Sequence, residues 1–207
     1  MPQEAPTPIY TWETYRQLDE QADHRYEYHD GTIVDMASAT NRHNEIAGNC
    51  YAMLRSAALA QGCKSYAMEV RLFRYQSDRY LYPDGMVTCH PLDLQAKNGV
   101  RAPLLIVEVL SESSEVADRG FKLREYIRIP SLRHYLLIGQ THCEVQHFSR
   151  SSGDAPWQMC FYEDPADSIF IPELDLHLAL ADLYLGIDFG PESHEIAEEQ
   201  AYYGPAV

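Results

Sequence analysis

A mixed α/β layer fold is what this chain's sequence predicts, and three observations predict it. Two short, nearly all-apolar runs rich in branched residues, 104–110 (LLIVEVL) and 134–138 (HYLLI), read as strands buried on both faces. Between them, residues 118–129 carry a helical pattern closed by Pro130, and a longer helical stripe lies upstream. Hairpin patterns stand before and after this block.

The elements follow in order. The opening MPQEAPTPIY has neither a basic n-region nor an apolar h-region, so residues 1–9 read as a disordered lead, not a signal peptide. Thr11 can cap a short helix over 12–20. Residues 26–36 read as a β-hairpin: Tyr26 and Tyr28 alternate with Glu27 and His29, Asp30-Gly31 makes the turn, and 32–36 returns. Residues 43–60 form the strongest helix pattern. Ile46, Ala47, Cys50, Met53, Leu54 and Ala57 line its apolar stripe, and Gly62 stops it. Alternation over 65–75, a polar turn at 76–79 and a second strand at 80–90 come next. Beyond the buried pair of strands, strand patterns at 144–149 and 157–162 flank a Ser-Ser-Gly-Asp turn, and 178–185 reads as a small closing helix. No repeat interrupts the chain, so its 207 residues divide into the lead, one domain over 10–190 and an acidic tail at 191–207.

Composition narrows the function class. Hydrophobic residues at 45% and charged residues at 23% are ordinary globular values, which excludes a low-complexity chain. No apolar stretch reaches the roughly 18 residues of a membrane span. Five cysteines, odd in number and in no C-x-x-C pair, argue against a disulfide framework and a zinc site and fit a reducing cytoplasm. The net charge of −15 counts against a nucleic-acid partner, which needs a basic footprint. Its distribution is uneven: residues 61–133 hold 11 Lys/Arg against 9 Asp/Glu, and the rest holds 5 against 22. A near-neutral middle inside an acidic frame is compatible with a phosphate site.

Three residues carry the chemistry. Glu108 is the single polar side chain of the buried run 104–110, and a buried carboxylate requires a partner, a metal or a raised pKa. Its plain alternative is a strand-end glutamate paired with an arginine. Asp84 follows Pro83 in the strand just upstream; if the two strands are neighbours, both carboxylates converge. Two carboxylates, a carbonyl and waters suit a hard cation such as Mg²⁺. Taken alone, Pro-Asp also begins many turns. Lys122 stands on the helix after the Glu108 strand, with Tyr126 and Ile129 at i+4 and i+7, so its stripe faces the core. An Asp118–Lys122 surface pair is the simpler reading of that lysine.

At these residues the chain resembles the Uma-two family of restriction-endonuclease-like proteins. The matching pieces are Tyr26-Glu27-Tyr28 with Asp30-Gly31, Met36 with His43, and Tyr82-Pro83-Asp84. They continue through Glu108-Val109-Leu110-Ser111, Asp118-Arg119-Gly120-x-Lys122, Tyr126, Pro130-Ser131-Leu132 and Tyr135-Leu136-Leu137, spanning about Tyr10 to Gly186. The resemblance implies a restriction-endonuclease-like fold of the PD-(D/E)XK type: a four-stranded mixed sheet flanked by helices, here with extra hairpins at both ends. It also implies that Asp84, Glu108 and the Val109 carbonyl hold Mg²⁺ or Mn²⁺ while a lysine orients the attacking water. The usual lysine position is taken by Leu110, and Lys122 matches a lysine relocated to the following helix. Glu27 and His43 match positions near the site. Glu27 is open between a metal or water ligand and a solvated strand residue; His43 is open between a helix cap, a phosphate contact and acid–base chemistry. The implied function is metal-dependent endonucleolytic hydrolysis, of double-stranded DNA by a homodimer. A catalytically silent binding module and an enzyme of small phosphoesters are the alternatives.

Overall fold

The structure, a computed structural model, describes residues 9–22, 25–36, 39–67, 69–73 and 79–190. The expected lead (apart from Ile9), the acidic tail and most of the turn at 76–79 lie outside the described residues.

Local rules place the first elements. Helix α1 spans Trp12–Gln21, and the Thr11 hydroxyl caps it by accepting from the Thr14 N–H at 3.2 Å. Strands β1 (Tyr26–His29) and β2 (Thr32–Asp35) pair antiparallel across Asp30-Gly31. Both turn residues have positive φ, 48° and 91°, as a type I′ hairpin turn requires. Helix α2 runs Asn41–Ala60, with the Thr40 hydroxyl accepting from the His43 N–H at 3.1 Å. Ile46, Ala47, Cys50, Leu54 and Ala58 are buried on its inner face, and Gly62 leaves the helix at φ +70°.

Two expected strands are each broken in two. Residues 65–75 become β3 (Lys64–Ala67) and β4 (Leu72–Phe73); residues 80–90 become β5 (Arg79–Leu81) and β6 (Gly85–Thr88). Each half joins a different sheet: β2-β1-β5-β4 is a small sheet, and β3 and β6 pair within a larger one. The reason is local. Pro83 has no N–H for a ladder and Glu69 takes φ 60°, so the chain leaves one sheet and enters the other at these points.

The larger sheet has the order β10-β9-β8-β7-β6-β3, with β7 (Leu105–Val109), β8 (His134–Ile138), β9 (Val145–Ser149) and β10 (Gln158–Tyr162). Strand β7 is antiparallel to β6 and parallel to β8, so the sheet is mixed as expected, with six strands where the resemblance implied four. The expected C-terminal hairpin extends it; the N-terminal hairpin seeds the small sheet. Both faces of β7 are covered. Leu105, Val107 and Val109 belong to the core beneath α2, and Ile106 and Leu110 to the core beside the small sheet.

The crossover from β7 to β8 departs from the expected regular helix at 118–129. It begins earlier and is irregular: α4 (Glu115–Ala117), a π-turn (Asp118–Lys122), then α5 (Leu123–Tyr126). Gly120 sits inside the wide turn, which the Leu123 N–H closes on the Asp118 carbonyl. A short helix, α3 (Pro91–Gln95), occupies a stretch read as loop. The closing helix is also shorter than expected. Strand β12 (Leu176–Ala179) pairs with β11 (Ser168–Ile171), leaving α6 as Leu180–Leu183. The leucine run there hid a strand alternation inside a helix-like pattern.

Contrary to the cysteine reading, Cys63 and Cys89 form a disulfide. The register Lys64↔Thr88 sets them opposite one another across β3 and β6, a proximity that their 26-residue separation conceals. The cysteine count therefore carries no argument about compartment. Among the described residues no helix is long and apolar enough to cross a membrane.

Candidate active site

The break at Pro83 delivers Asp84 to the point where the two sheets meet. Gly85 pairs with Val107, so Asp84 and Glu108 occupy the next rung of the β6–β7 ladder, the adjacency that convergence required. Gly85 serves this approach, because a Cβ there would stand 3.3 Å from the Val107 Cβ. Asp84 Oδ2 accepts from the Val109 N–H at 2.7 Å and stands 3.2 Å from His43 Nε2. Its hold on β7 is thus a backbone hydrogen bond to the residue after Glu108.

Glu108 is 2% exposed, and two groups from the crossover meet its Oε1: the Tyr126 hydroxyl donates at 2.7 Å and the Lys122 Nζ stands at 3.2 Å. The lysine is buried and bridges three carboxylates, with Glu27 Oε1 at 3.3 Å and Asp118 Oδ1 at 3.1 Å completing the set. The Asp118–Lys122 pair is therefore real but internal. Glu27 is buried, which removes its reading as a solvated strand residue. Its Oε1 also accepts from the Tyr82 N–H at 3.2 Å, and its Oε2 faces His29 Nε2 at 3.1 Å. Both oxygens are engaged, so Glu27 anchors the lysine. His43 enters from the first turn of α2, whose N-terminal end favours negative charge nearby.

The electrostatics follow from four carboxylates gathered around one ammonium. Burial raises the Glu108 pKa well above the usual carboxylate range, Lys122 opposes, and Asp118, Asp84 and Glu27 push it further up. Burial raises Asp118 too, against the pull of Lys122. Glu27 goes the other way: burial opposes ionisation, but Lys122, His29 and the Tyr82 N–H outweigh it. Burial also works against the Lys122 ammonium, yet Glu108, Glu27 and Asp118 hold it firmly protonated. For His43, burial is outweighed by the Asp84 carboxylate and the Val109 carbonyl, and its pKa rises.

The donor set fits a hard divalent cation. The carboxylates exceed their cationic partners, since Glu108, Glu27 and Asp118 share the one Lys122 ammonium. Among the described residues no three His, Cys, Asp or Glu side chains are arranged to hold a metal by themselves. A cation here would rest on Asp84, Glu108, the Val109 carbonyl and water, the mixed sphere that Mg²⁺ accepts. The five expected side chains, Glu27, Asp84, Glu108, Lys122 and His43, come together. Sequence reasoning missed Asp118 and Tyr126 as members. Both stand among the residues that carry the family resemblance, but residue spacing assigned Asp118 a part only as the i−4 partner of Lys122 and Tyr126 only as the next residue on its stripe.

Much of the middle's positive charge is engaged elsewhere. Arg71 pairs with Asp19, Arg79 with Asp30 and Glu125, and Arg119 with Glu115 and Glu144.

Comparison with known proteins gives the following. Over residues 12–181 the chain matches the Uma2 family model, described as "Putative restriction endonuclease". It is 30% identical over 185 residues to the "Uncharacterized protein slr1290" of Synechocystis sp. (strain ATCC 27184 / PCC 6803 / Kazusa), covering 89% of this chain and 96% of that one. It is 34% identical over 155 residues to "Uncharacterized protein sll1609" of the same organism, covering 74% and 87%. Among solved structures, its fold is similar to the crystal structure of "a putative nuclease belonging to DUF820" from Anabaena variabilis ATCC 29413. The TM-score is 0.66 at 17% identity, covering 83% of this chain and 96% of that chain.

Proposed function

The chain belongs to the Uma2 family, and we propose that it is a metal-dependent nuclease that hydrolyses phosphodiester bonds, in DNA by preference. The observation that carries this reading is the meeting of Asp84, Glu108 and Lys122 from three different elements at the junction of the sheets. Asp84, Glu108 and the Val109 carbonyl would hold Mg²⁺, with Mn²⁺ as the alternative ion for the same oxygen set. When bound, such an ion supplies Lewis-acid activation of water and neutralises charge at the phosphate.

The chain's own groups account for the rest. Lys122, kept protonated by its three carboxylates, is suited to donate a hydrogen bond to the attacking water and to counter developing negative charge. It is not suited to remove a proton. Glu27 and Asp118 fix the ammonium over Glu108. His43, with its raised pKa and its place in the first turn of α2, is suited to contact a phosphate oxygen.

Plasmid nicking by the purified protein tests the reading, with Mg²⁺ or Mn²⁺ against a chelator. Asp84→Asn and Glu108→Gln should each abolish the metal-dependent cleavage while the protein stays folded. The acidic balance favours one other reading, a silent binding module. Wild-type protein that binds DNA with Mg²⁺ yet never nicks it would establish that module instead.

A further inference from the structure

We infer that Tyr126 is a positioning residue whose hydroxyl ties down one oxygen of Glu108 and leaves the other turned to the cation. The inference rests on the metal-site reading above and assigns a role that the PD-(D/E)XK pattern does not contain.

Tyr126 is fully buried, and its hydroxyl donates to Glu108 Oε1 at 2.7 Å, on the same oxygen that Lys122 meets at 3.2 Å. Glu108 Oε2 takes no hydrogen bond among the described residues. Two donors on one oxygen fix the carboxylate's terminal torsion, which is otherwise broad and nearly two-fold. The residue spacing makes this possible. Tyr126 follows Lys122 by four positions, so ammonium and hydroxyl lie one turn apart on one face of the crossover and converge on the same carboxylate.

The tyrosine ring is itself held. It meets Tyr135 edge-on, with centroids 5.1 Å apart, and the Tyr135 hydroxyl donates to the Asp118 carbonyl at 3.2 Å. Strand β8 thereby steadies the crossover, and the crossover steadies Glu108. A neutral hydroxyl also suits the position. It satisfies a buried acceptor without adding a positive charge to repel a cation at Oε2. Donors that orient a ligating carboxylate in this way contribute strongly to metal affinity.

The test is Tyr126→Phe, which removes one oxygen and leaves the ring. Mn²⁺ is titrated into wild type and variant at fixed pH, free ion is read by electron paramagnetic resonance, and the apo melting temperature checks the fold. Both proteins should take one Mn²⁺ per chain, with the dissociation constant raised roughly 10–100-fold in the variant. Tyr184→Phe, which deletes a buried hydroxyl bonded to the Gly139 and Glu144 carbonyls instead, should leave the affinity within about threefold. A Tyr126→Phe affinity within about twofold of wild type overturns the positioning role and leaves the metal site standing. Equal losses in the two variants also overturn it, because they mark a general packing effect. A wild type that takes up no Mn²⁺ overturns both the inference and the reading beneath it.

Discussion

Leu110 stands two residues beyond Glu108 on the same face of β7, where the resembled pattern has its lysine. The amine reaches the Glu108 carboxylate from the crossover instead, with its Nζ 3.2 Å from Oε1. On the proposed role, Lys122→Ala should lower turnover by about 10²–10⁴-fold, the range for a positioned proton-transfer or water-orienting group. Mn²⁺ binding should change far less, since the ammonium is no ligand. Leu110→Lys combined with Lys122→Ala should regain part of the rate; nicking assays on the single and double variants decide it, and normal turnover in Lys122→Ala would remove the assignment. A second residue-level test lies outside the site. His147 is buried, its Nε2 is 2.9 Å from His134 Nδ1, and His134 Nε2 is 2.8 Å from Glu173. Burial first and the neighbouring His134 second pull the His147 pKa down from 6.5 to about 4. The folded state therefore resists protonating His147 while the unfolded chain accepts the proton near its ordinary pKa. Stability is lost as pH falls from above 6.5 toward about 4, by something on the order of 3 kcal/mol in full. His147→Gln should flatten that slope, seen as melting temperatures that differ less between pH 7.5 and pH 5 than in wild type.

Gly120 lies within the π-turn that brings Asp118 and Lys122 inward together, and a Cβ at Gly120 would meet nothing within 4 Å. Gly120→Ala should therefore be neutral or stabilise by about 0.4–1 kcal/mol, through the unfolded chain's lost freedom. Deleting Gly120 should act differently. It removes the extra residue of the wide turn and rotates Asp118 relative to Lys122 by about 100°. Either Asp118 must then leave the Lys122 ammonium, or Lys122 and Tyr126 must together turn away from Glu108, so cleavage should collapse while circular dichroism keeps the native profile; full activity in the deletion would show the wide turn to be incidental. The π-turn was not legible in the sequence, because a helical stripe marks which residues face inward and not how widely the turn is wound. The buried strands, α2 and the first hairpin were legible, since each is dictated by local period and turn chemistry. The breaks at Glu69 and Pro83 were half legible. Pro83 announced a break, but no local pattern says that the strand's second half joins another sheet. The site followed the same rule. Asp84, Glu108 and Lys122 could be given roles from residue type and motif spacing, whereas Asp118 and Tyr126 stood in the same motifs without a role, which contacts supply only when β7, β8 and the crossover pack.

Across the whole molecule the surplus is acidic, at −15, while Arg71, Arg79 and Arg119 of the near-neutral middle are engaged with carboxylates. Cutting both strands of a duplex with one site per chain favours a two-fold homodimer, and light scattering at micromolar concentration should return twice the chain mass of 23.7 kDa. The same charge distribution sets a sharper expectation for substrate binding. A protein that neutralises Z phosphates loses affinity with salt along a slope of about −0.9Z on B-DNA, so a broad basic footprint gives a steep dependence. Arg71, Arg79 and Arg119 are paired within the fold and add little to such a footprint, and the gathered carboxylates of the site repel a phosphate until a divalent ion offsets them. Duplex binding should therefore be undetectable in chelator and appear with Ca²⁺, an ion of the right charge and oxygen preference that permits binding to be read without hydrolysis. Once formed, the complex should weaken with monovalent salt along a slope shallower than roughly −3. Fluorescence anisotropy of a labelled duplex across a salt series at fixed Ca²⁺ measures both features. Metal-independent binding with a slope of roughly −6 or steeper would mean that phosphates are held by a basic surface away from Asp84 and Glu108. A slope near zero, with displacement by a small phosphoester, would instead move the substrate class from duplex DNA to small molecules.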